Sequence, residues 1–192
     1  MKSVMLSIRP KWCKKIIDGE KTIEVRKTKP KLETPFKVYI YCTSGRPDLN
    51  IPISPERLMQ DYLDTGSMQS LNCPLGNGKV IGEFTCDRIY ELAPLNHAPD
   101  DVEKQACLTR EEIVNYLKET GYGWHISDLL IYDQPRELTA FRRLCPNDLY
   151  CEACATYSNN NGICNNGALT LRRPPQSWCY VEESKQKELE EM

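Results

Sequence analysis

The 192-residue sequence predicts an α+β fold, in which five to six mostly antiparallel strands form a small β-barrel with flanking helices. Three observations lead to this class. The length fits one core with insertions better than two domains. Short stretches of alternating polar and apolar residues predict strands, and the helices between them occur singly, without regular strand–helix alternation. With so few strands, closure into a barrel removes the exposed edges.

The first part of the chain has a clear order of elements. A strand predicted over 4–8 leads into a helix that begins at Pro10, since a proline is favourable in the first turn, and ends at Gly19. Trp12 falls on the apolar face of this helix and is expected in the core. The next two predicted strands cover 22–27 and 36–43.

The later elements are separated by irregular segments. A helix over 55–63 is capped by Ser54, and a long strand is predicted from Gly78 through KVIGEFTCDRIYEL. Thr109 and Glu112 form a capping box for a helix that ends near Gly121. The last predicted strands cover 129–132 and 178–182.

The elements and the composition together predict one domain over 1–183. Two insertions interrupt it, a segment rich in Pro, Gly and Ser at 44–77 and a cysteine-rich segment at 139–175. Residues 184–192 form a charged tail that we expect to be solvated.

Charge is distributed unevenly along the chain. The net charge of −2 argues against a protein that coats nucleic acid by bulk electrostatics. Residues 1–31, however, contain ten Lys and Arg against three Asp and Glu, a local balance of +7, so the remainder carries −9. This asymmetry predicts one basic face. Because no long apolar run or signal-peptide pattern is found, we expect no membrane span and a cytoplasmic location.

The run GEKTIEVR at 19–26 concentrates charge on a predicted strand. Strand alternation places Ile23 and Val25 on the core side and Glu24 and Arg26 together on the other. A guanidinium fork can bind phosphate, and a neighbouring carboxylate can accept from a base amino group. Lys21 precedes the strand and can reach the same face. From spacing alone, a ligand site and a solvated face with an incidental ion pair both remain open.

Two further groups of residues are candidates for the same site. Arg9, at the end of the preceding strand, is expected to join the charges of the run. Trp124, Trp178 and Tyr180 are candidate stacking partners for a base, although each fits the core equally well.

Four cysteines in the second insertion have the spacing C-x5-C-x2-C-x9-C: Cys145, Cys151, Cys154 and Cys164. The surrounding segment is rich in Asn and Gly and has little to bury, so it needs a cross-link to hold a shape. In a reducing compartment four thiolates around a structural zinc ion are the usual solution. Free thiols in a flexible loop, or disulfides, are the alternatives.

Several segments together resemble the ASCH domain of the PUA-like superfamily, in its bacterial and phage forms. They are LSIRP, the run G-x-K-x-x-E-x-R, KVIGEF, GYGWHISDLLIYDQPREL and RPPQSWCYVEE, in this order. The resemblance implies a small β-barrel with a cleft beside the first helix, lined by Lys21, Glu24 and Arg26, that binds RNA or nucleotides. Some small members of the family hydrolyse acetylcytidine, and ribonuclease activity has been attributed to others.

The leading functional prediction is therefore a binding module for RNA, a nucleotide or a modified nucleoside. A hydrolase that acts on a modified nucleoside or on RNA through Lys21 and Glu24 is the alternative. The resemblance implies that the acetylcytidine hydrolases use a threonine at the position of Glu24, and a carboxylate cannot replace that hydroxyl by the same route. A protein-interaction domain is the third possibility, for which the sequence indicates no partner.

Overall fold

A computed structural model describes residues 2–66, 73–92, 98–145, 157–158, 163–164 and 166–183. The α+β class is confirmed. The helices of this part of the chain are α1 (Pro10–Ile17), α2 (Pro55–Thr65), α3 (Val102–Ala106) and α4 (Arg110–Leu117). Its strands are β1 (Ser3–Ile8), β2 (Ile23–Arg26), β3 (Phe36–Cys42), β4 (Val80–Cys86), β5 (Ile89–Glu91), β6 (Tyr122–His125), β7 (Ser127–Arg136), β8 (Phe141–Arg143), β9 (Tyr157–Ser158), β10 (Ile163–Cys164) and β11 (Trp178–Glu183).

The larger sheet has six strands in the order β7-β4-β3-β1-β11-β8. The pairing of β1 with β3 is parallel and the other pairings are antiparallel, so the mostly antiparallel character predicted from the sequence is confirmed. The two terminal strands, β7 and β8, do not pair with each other among the described residues. The predicted closure into a barrel is therefore not seen there, and the sheet is open.

A second sheet has three strands in the order β2-β6-β5, with both pairings antiparallel. Its central strand, β6, was not predicted, and neither were β8 and α3. The stretch KVIGEFTCDRIYEL, predicted as one strand, is divided between the two sheets, because the chain leaves β4 after Cys86 and enters β5 at Ile89. The β4–β5 turn thus connects the two sheets.

The core lies on both faces of the large sheet, and all six residues of β1 are consequently buried. On one face the main apolar cluster includes Cys13 and Ile16 of α1 and Trp124 of β6. Trp124 packs edge-on against Phe36, with ring centroids 5.9 Å apart, so the two sheets share this core. Met5 faces a separate cluster on the other side.

The small sheet is covered by the two short helices of the segment that follows β5. Ile23 and Val25 of β2 belong to one apolar cluster with residues of α3 and α4, among them Ala106 and Ile113. The alternation predicted for β2 is thus correct, but both faces of the strand are buried. No helix in the described part of the chain has the length and apolarity needed to cross a membrane.

Candidate functional site

The candidate site is assembled where the chain leaves β1 and where it enters β2. Arg9 follows β1 in an extended conformation, and Pro10 then begins α1. Gly19, with a φ of 73°, allows the tight return from the helix, and Lys21 follows just before β2. Positive φ is accessible to glycine at little cost, which explains the residue at this turn. Arg9 and Lys21 are thereby placed at opposite ends of α1.

The charges of the GEKTIEVR run form a buried ion-pair chain. Glu24 lies between two cations: its Oε2 is 3.3 Å from Lys21 Nζ and its Oε1 is 2.9 Å from Arg26 Nη2. The side chains of Lys21, Glu24 and Arg26 are only 2%, 8% and 10% exposed. The structure therefore brings together the three residues that the sequence singled out, but not on a solvated strand face. We call them the triad.

Lys21 is fully engaged by acceptors of the protein. Its Nζ donates to the carbonyl oxygens of Ile23, at 2.8 Å, and Ala106, at 2.7 Å, in addition to the ion pair with Glu24. An ammonium group has three protons, so each has an acceptor. This geometry holds Lys21 as a charged structural bridge between β2 and α3.

Arg26 ties the triad to the strands of the larger sheet. Its Nη2 donates to the carbonyl oxygen of Ser7, at 2.7 Å, and its Nη1 to Ser177 Oγ, at 3.4 Å. The buried Nε has no hydrogen-bond acceptor among the described residues. Because two cations accompany one carboxylate, the triad carries an excess of one positive charge. Such a charge is costly to bury and makes the site attractive to an anion.

The triad borders a cavity of about 500 Å³, which we call the main cavity. It lies between the β1–α1 junction, β2, α4 and residues 175–176. Its charged lining residues are Arg9, Lys11, Lys21, Glu24, Arg26 and Glu112. Four cations against two carboxylates give the walls a net positive charge. The exposed Arg9 and Lys11 stand at the solvent side, whereas the triad is buried.

Two aromatic rings also line the main cavity. Trp12 is half-buried, and Lys11 Nζ lies 4.3 Å from the centroid of its ring. Tyr116 of α4 is 44% exposed, with Lys27 Nζ 5.3 Å from its ring centroid. Such pairs of a ring and a cation offer a base a stacking surface and its phosphate a countercharge. Hydroxyl and amide groups are supplied by Ser7, Thr43 and Gln176.

The two tryptophans predicted as stacking partners lie elsewhere. Trp124 is completely buried between Phe36 and Trp178, so neither face of its ring is open to a ligand. This corrects the prediction, and the physical reason is that β6 is the central strand of a covered sheet. Trp178 is half-buried, donates from Nε1 to Thr28 Oγ1 at 2.9 Å and is not among the residues that line the main cavity.

The residues that the sequence missed are Lys11, Trp12 and Tyr116. Trp12 was assigned to the core from its position on the apolar face of α1. It packs against the core and also lines the main cavity, because that face is only partly covered. The run RPKW, with two cations and an indole at the start of a helix, was a usable signal. Tyr116 lies far along the sequence from this run, and only the fold brings it near.

The predicted zinc ligands fall mainly outside the described residues. Cys151 and Cys154 are not described, and of Cys164 only the backbone in β10 is. Cys145 is half-buried just after β8. Among the side chains that the structure describes, which do not include those of Cys151, Cys154 and Cys164, no group of three or more metal-ligating residues is found. The zinc site stays a prediction.

Comparison with known proteins identifies similar solved structures only. No protein-family model matches the sequence. No curated protein matches it either. The structure of an ASCH protein from Zymomonas mobilis is 19% identical, with 94% of this chain and 87% of that chain covered and a TM-score of 0.48.

Two variants of the same Zymomonas mobilis protein give similar values. A tyrosine-to-phenylalanine variant is 18% identical over 96% of this chain and 93% of that chain, with a TM-score of 0.49. A serine-to-alanine variant is 17% identical over 95% and 89%, with a TM-score of 0.48. ASCH is the family that the sequence resembles. At this identity and TM-score, function has to follow from the chemistry of the cavity.

Proposed function

We propose that this protein binds RNA by holding one of its nucleotides in the main cavity. The observation that carries the proposal is the buried triad with its excess positive charge, at the wall of a cavity that also presents exposed cations and two aromatic rings. Phosphate, ribose and base require these three kinds of partner: cations, hydrogen-bonding groups and stacking surfaces.

Within the cavity the roles divide according to exposure. Arg9 and Lys11 are exposed and free to follow a phosphate group. Trp12 and Tyr116 supply the faces against which a base can stack. The triad provides a fixed electrostatic field, since the side chains of Lys21 and Arg26 are already bonded to the protein. Glu24 keeps acceptor capacity on its carboxylate oxygens for a base amino group.

The structure favours binding over the hydrolase alternative. A lysine that acts as nucleophile or general base needs a free lone pair. Lys21 instead donates to two carbonyl oxygens and pairs with a carboxylate, so its amine is engaged by the protein and not presented to a substrate. The concave shape of the site likewise fits a small group of a ligand better than the broad surface of a protein partner.

The test is a titration of fluorescein-labelled single-stranded RNA, followed by anisotropy. Lys11→Ala removes a cavity cation, and we expect weaker binding and a shallower dependence of affinity on salt, because one fewer counterion is displaced. Tyr116→Ala removes an exposed ring, and we expect a loss of about 1–3 kcal/mol. Lys14→Ala is the matched control, since Lys14 is exposed on the same helix but does not line the cavity.

The proposal makes a clear distinction between these variants. Lys11→Ala and Tyr116→Ala are expected to weaken RNA binding while Lys14→Ala retains it. Equal affinity of all three variants and the unmodified protein would overturn the proposal, as would an unmodified protein that binds no RNA at low salt.

A further inference from the structure

A second cavity, of about 470 Å³, lies beside β8 and the 3₁₀ turn Gly167–Leu169. Three arginines line it, namely Arg143, Arg172 and Arg173, and all three are exposed. Its lining, as far as the chain is described, contains no acidic residue. We call it the arginine cavity. The three guanidinium groups, without a carboxylate among the described lining residues, give this cavity a one-sided positive charge, whereas the main cavity also has two carboxylates in its lining.

The segment that carries two of these arginines is fixed at both ends. Leu171 is buried, and its backbone N–H donates to the carbonyl oxygen of Phe141 at 2.9 Å. At the other end Ser7 Oγ donates to the carbonyl oxygen of Pro175 at 2.7 Å, and Ser7 N–H to that of Ser177 at 2.9 Å. The backbone of residues 172–174 is therefore held between anchors while its arginine side chains reach solvent.

The same segment forms a wall of both cavities. Arg172 and Arg173 line the arginine cavity, and Pro175 and Gln176 line the main cavity. Two residues of extended chain span at most about 7 Å. Successive phosphates of one strand are about 3.4 Å apart along the axis even in a stacked duplex, and an unstacked strand is longer. The backbone distance between Arg173 and Pro175 thus corresponds to at most one or two nucleotides, the spacing expected of a strand that contacts both linings.

We propose that Arg143, Arg172 and Arg173 bind the phosphate groups of nucleotides that flank the one held in the main cavity. This inference rests on the proposed function and specifies it: the ligand is a single strand of several nucleotides, and a mononucleotide fills only part of the site. Arginine suits this role because its fork binds phosphate bidentately and is only weakly hydrated. A single strand is required because a base enters a cavity only when it is unstacked.

The experiment compares two ligands on the full chain. The first is a fluorescein-labelled RNA of about eight nucleotides, a length of the order of one single-strand binding site. The second is a nucleoside monophosphate, measured by calorimetry. The double substitution Arg172→Ala/Arg173→Ala should weaken binding of the oligonucleotide about tenfold and reduce its salt slope by about 1.4, since two phosphate contacts are lost. Its affinity for the mononucleotide should not change.

A matched control removes two charges elsewhere. Arg57→Ala/Lys104→Ala alters two exposed residues that line neither cavity, so it should retain oligonucleotide affinity. An equal loss in this control, or an unchanged oligonucleotide affinity in the arginine variant, would overturn the inference. A DNA strand of the same sequence shows whether the 2′-hydroxyl contributes, and stronger binding of DNA than RNA would overturn the assignment to RNA.

The outcome separates this inference from the proposed function. If Lys11→Ala weakens both ligands but the arginine variant weakens neither, the main cavity is the nucleotide site and the arginine cavity is not part of it. If Lys11→Ala affects neither ligand, the proposed function itself fails.

Discussion

The ammonium group of Lys21 donates a hydrogen bond of 2.7 Å to the carbonyl oxygen of Ala106, 85 residues further along the chain. Ala106 is the last residue of α3. A second hydrogen bond, from Thr22 N–H to the carbonyl oxygen of Gln105, connects the same two parts of the chain. The start of β2 is thus fastened to the helical segment whose continuation, α4, supplies Tyr116 to the main cavity. Lys21 thus contributes charge to the triad and also fixes the helical segment that forms one wall of the main cavity.

Replacement of Lys21 by methionine is expected to destabilise the fold. The substitution leaves the carbonyl oxygens of Ile23 and Ala106 without this buried donor, a loss that typically costs about 1–3 kcal/mol for each unsatisfied group, while Glu24 keeps its ion pair with Arg26. Urea denaturation measures the free energy of unfolding. Lys14→Met is the control, because Lys14 pairs with Asp18 on the surface and should cost less than about 1 kcal/mol. Equal losses in the two variants would show that Lys21 is not an internal bridge.

The alternation of β2 was readable from the sequence, but its surroundings were not. A strand of period two places Ile23 opposite Glu24 whatever lies around it. The cover on the apolar face comes from α3 and α4, which begin about 80 residues later, at Val102 and Arg110. A local pattern therefore identified which side chains share a face, whereas only the fold showed that both faces are buried.

The tryptophans show a related limit of a local pattern. Trp12 was placed in the core because its neighbours on α1 are apolar, and for Trp124 the core and the site were equally possible. Gly123 and His125 weaken the strand pattern of β6, although Gly123 is required there: a Cβ at this position would lie 2.9 Å from the side chain of Ile23. The close packing of β2 against β6 requires glycine at position 123, and that glycine made β6 difficult to predict from the sequence.

Tryptophan fluorescence should report a ligand in the main cavity through Trp12. Binding of RNA is expected to change the emission of the unmodified protein, because one of its three tryptophans lines the cavity. Trp12→Phe should abolish most of this change. Trp178→Phe is the control and should retain it, since Trp178 is held by Thr28 away from the cavity lining. A change that disappears in Trp178→Phe but persists in Trp12→Phe would contradict the placement of the ligand.

The zinc prediction can be tested by metal analysis of the purified protein. Four thiolates that close a tetrahedral shell should retain about one zinc ion per chain, and removal of one ligand should release it. We therefore expect Cys154→Ser to lose the metal. Cys73→Ser is the control, because Cys73 is an exposed cysteine outside the motif. A folded protein that contains no metal after purification without chelators would contradict the prediction.

The pair of Asp87 and His125 should make stability depend on acidic pH. Its Oδ1 and Nδ1 are 2.6 Å apart and join the β4–β5 turn to the end of β6. Partial burial of Asp87 opposes its ionisation, but the hydrogen bond and the charge of His125 outweigh this effect and lower its pKa below 3.8. Since the native pKa is below the unfolded one, the stabilisation is present above about pH 4 and is lost as the pH falls through the native value.

Asp87→Asn should therefore reduce the free energy of unfolding by less than about 1 kcal/mol near pH 6, since the pair is partly exposed. The difference from the unmodified protein should be smaller at pH 3 than at pH 6, because pH 3 lies below the unfolded pKa of Asp87 and closer to its lowered native pKa. Urea denaturation at both pH values measures it. Asp100→Asn, at an exposed aspartate, controls for the change of net charge. A difference that grows toward low pH would show that ionised Asp87 does not stabilise the turn between the two sheets.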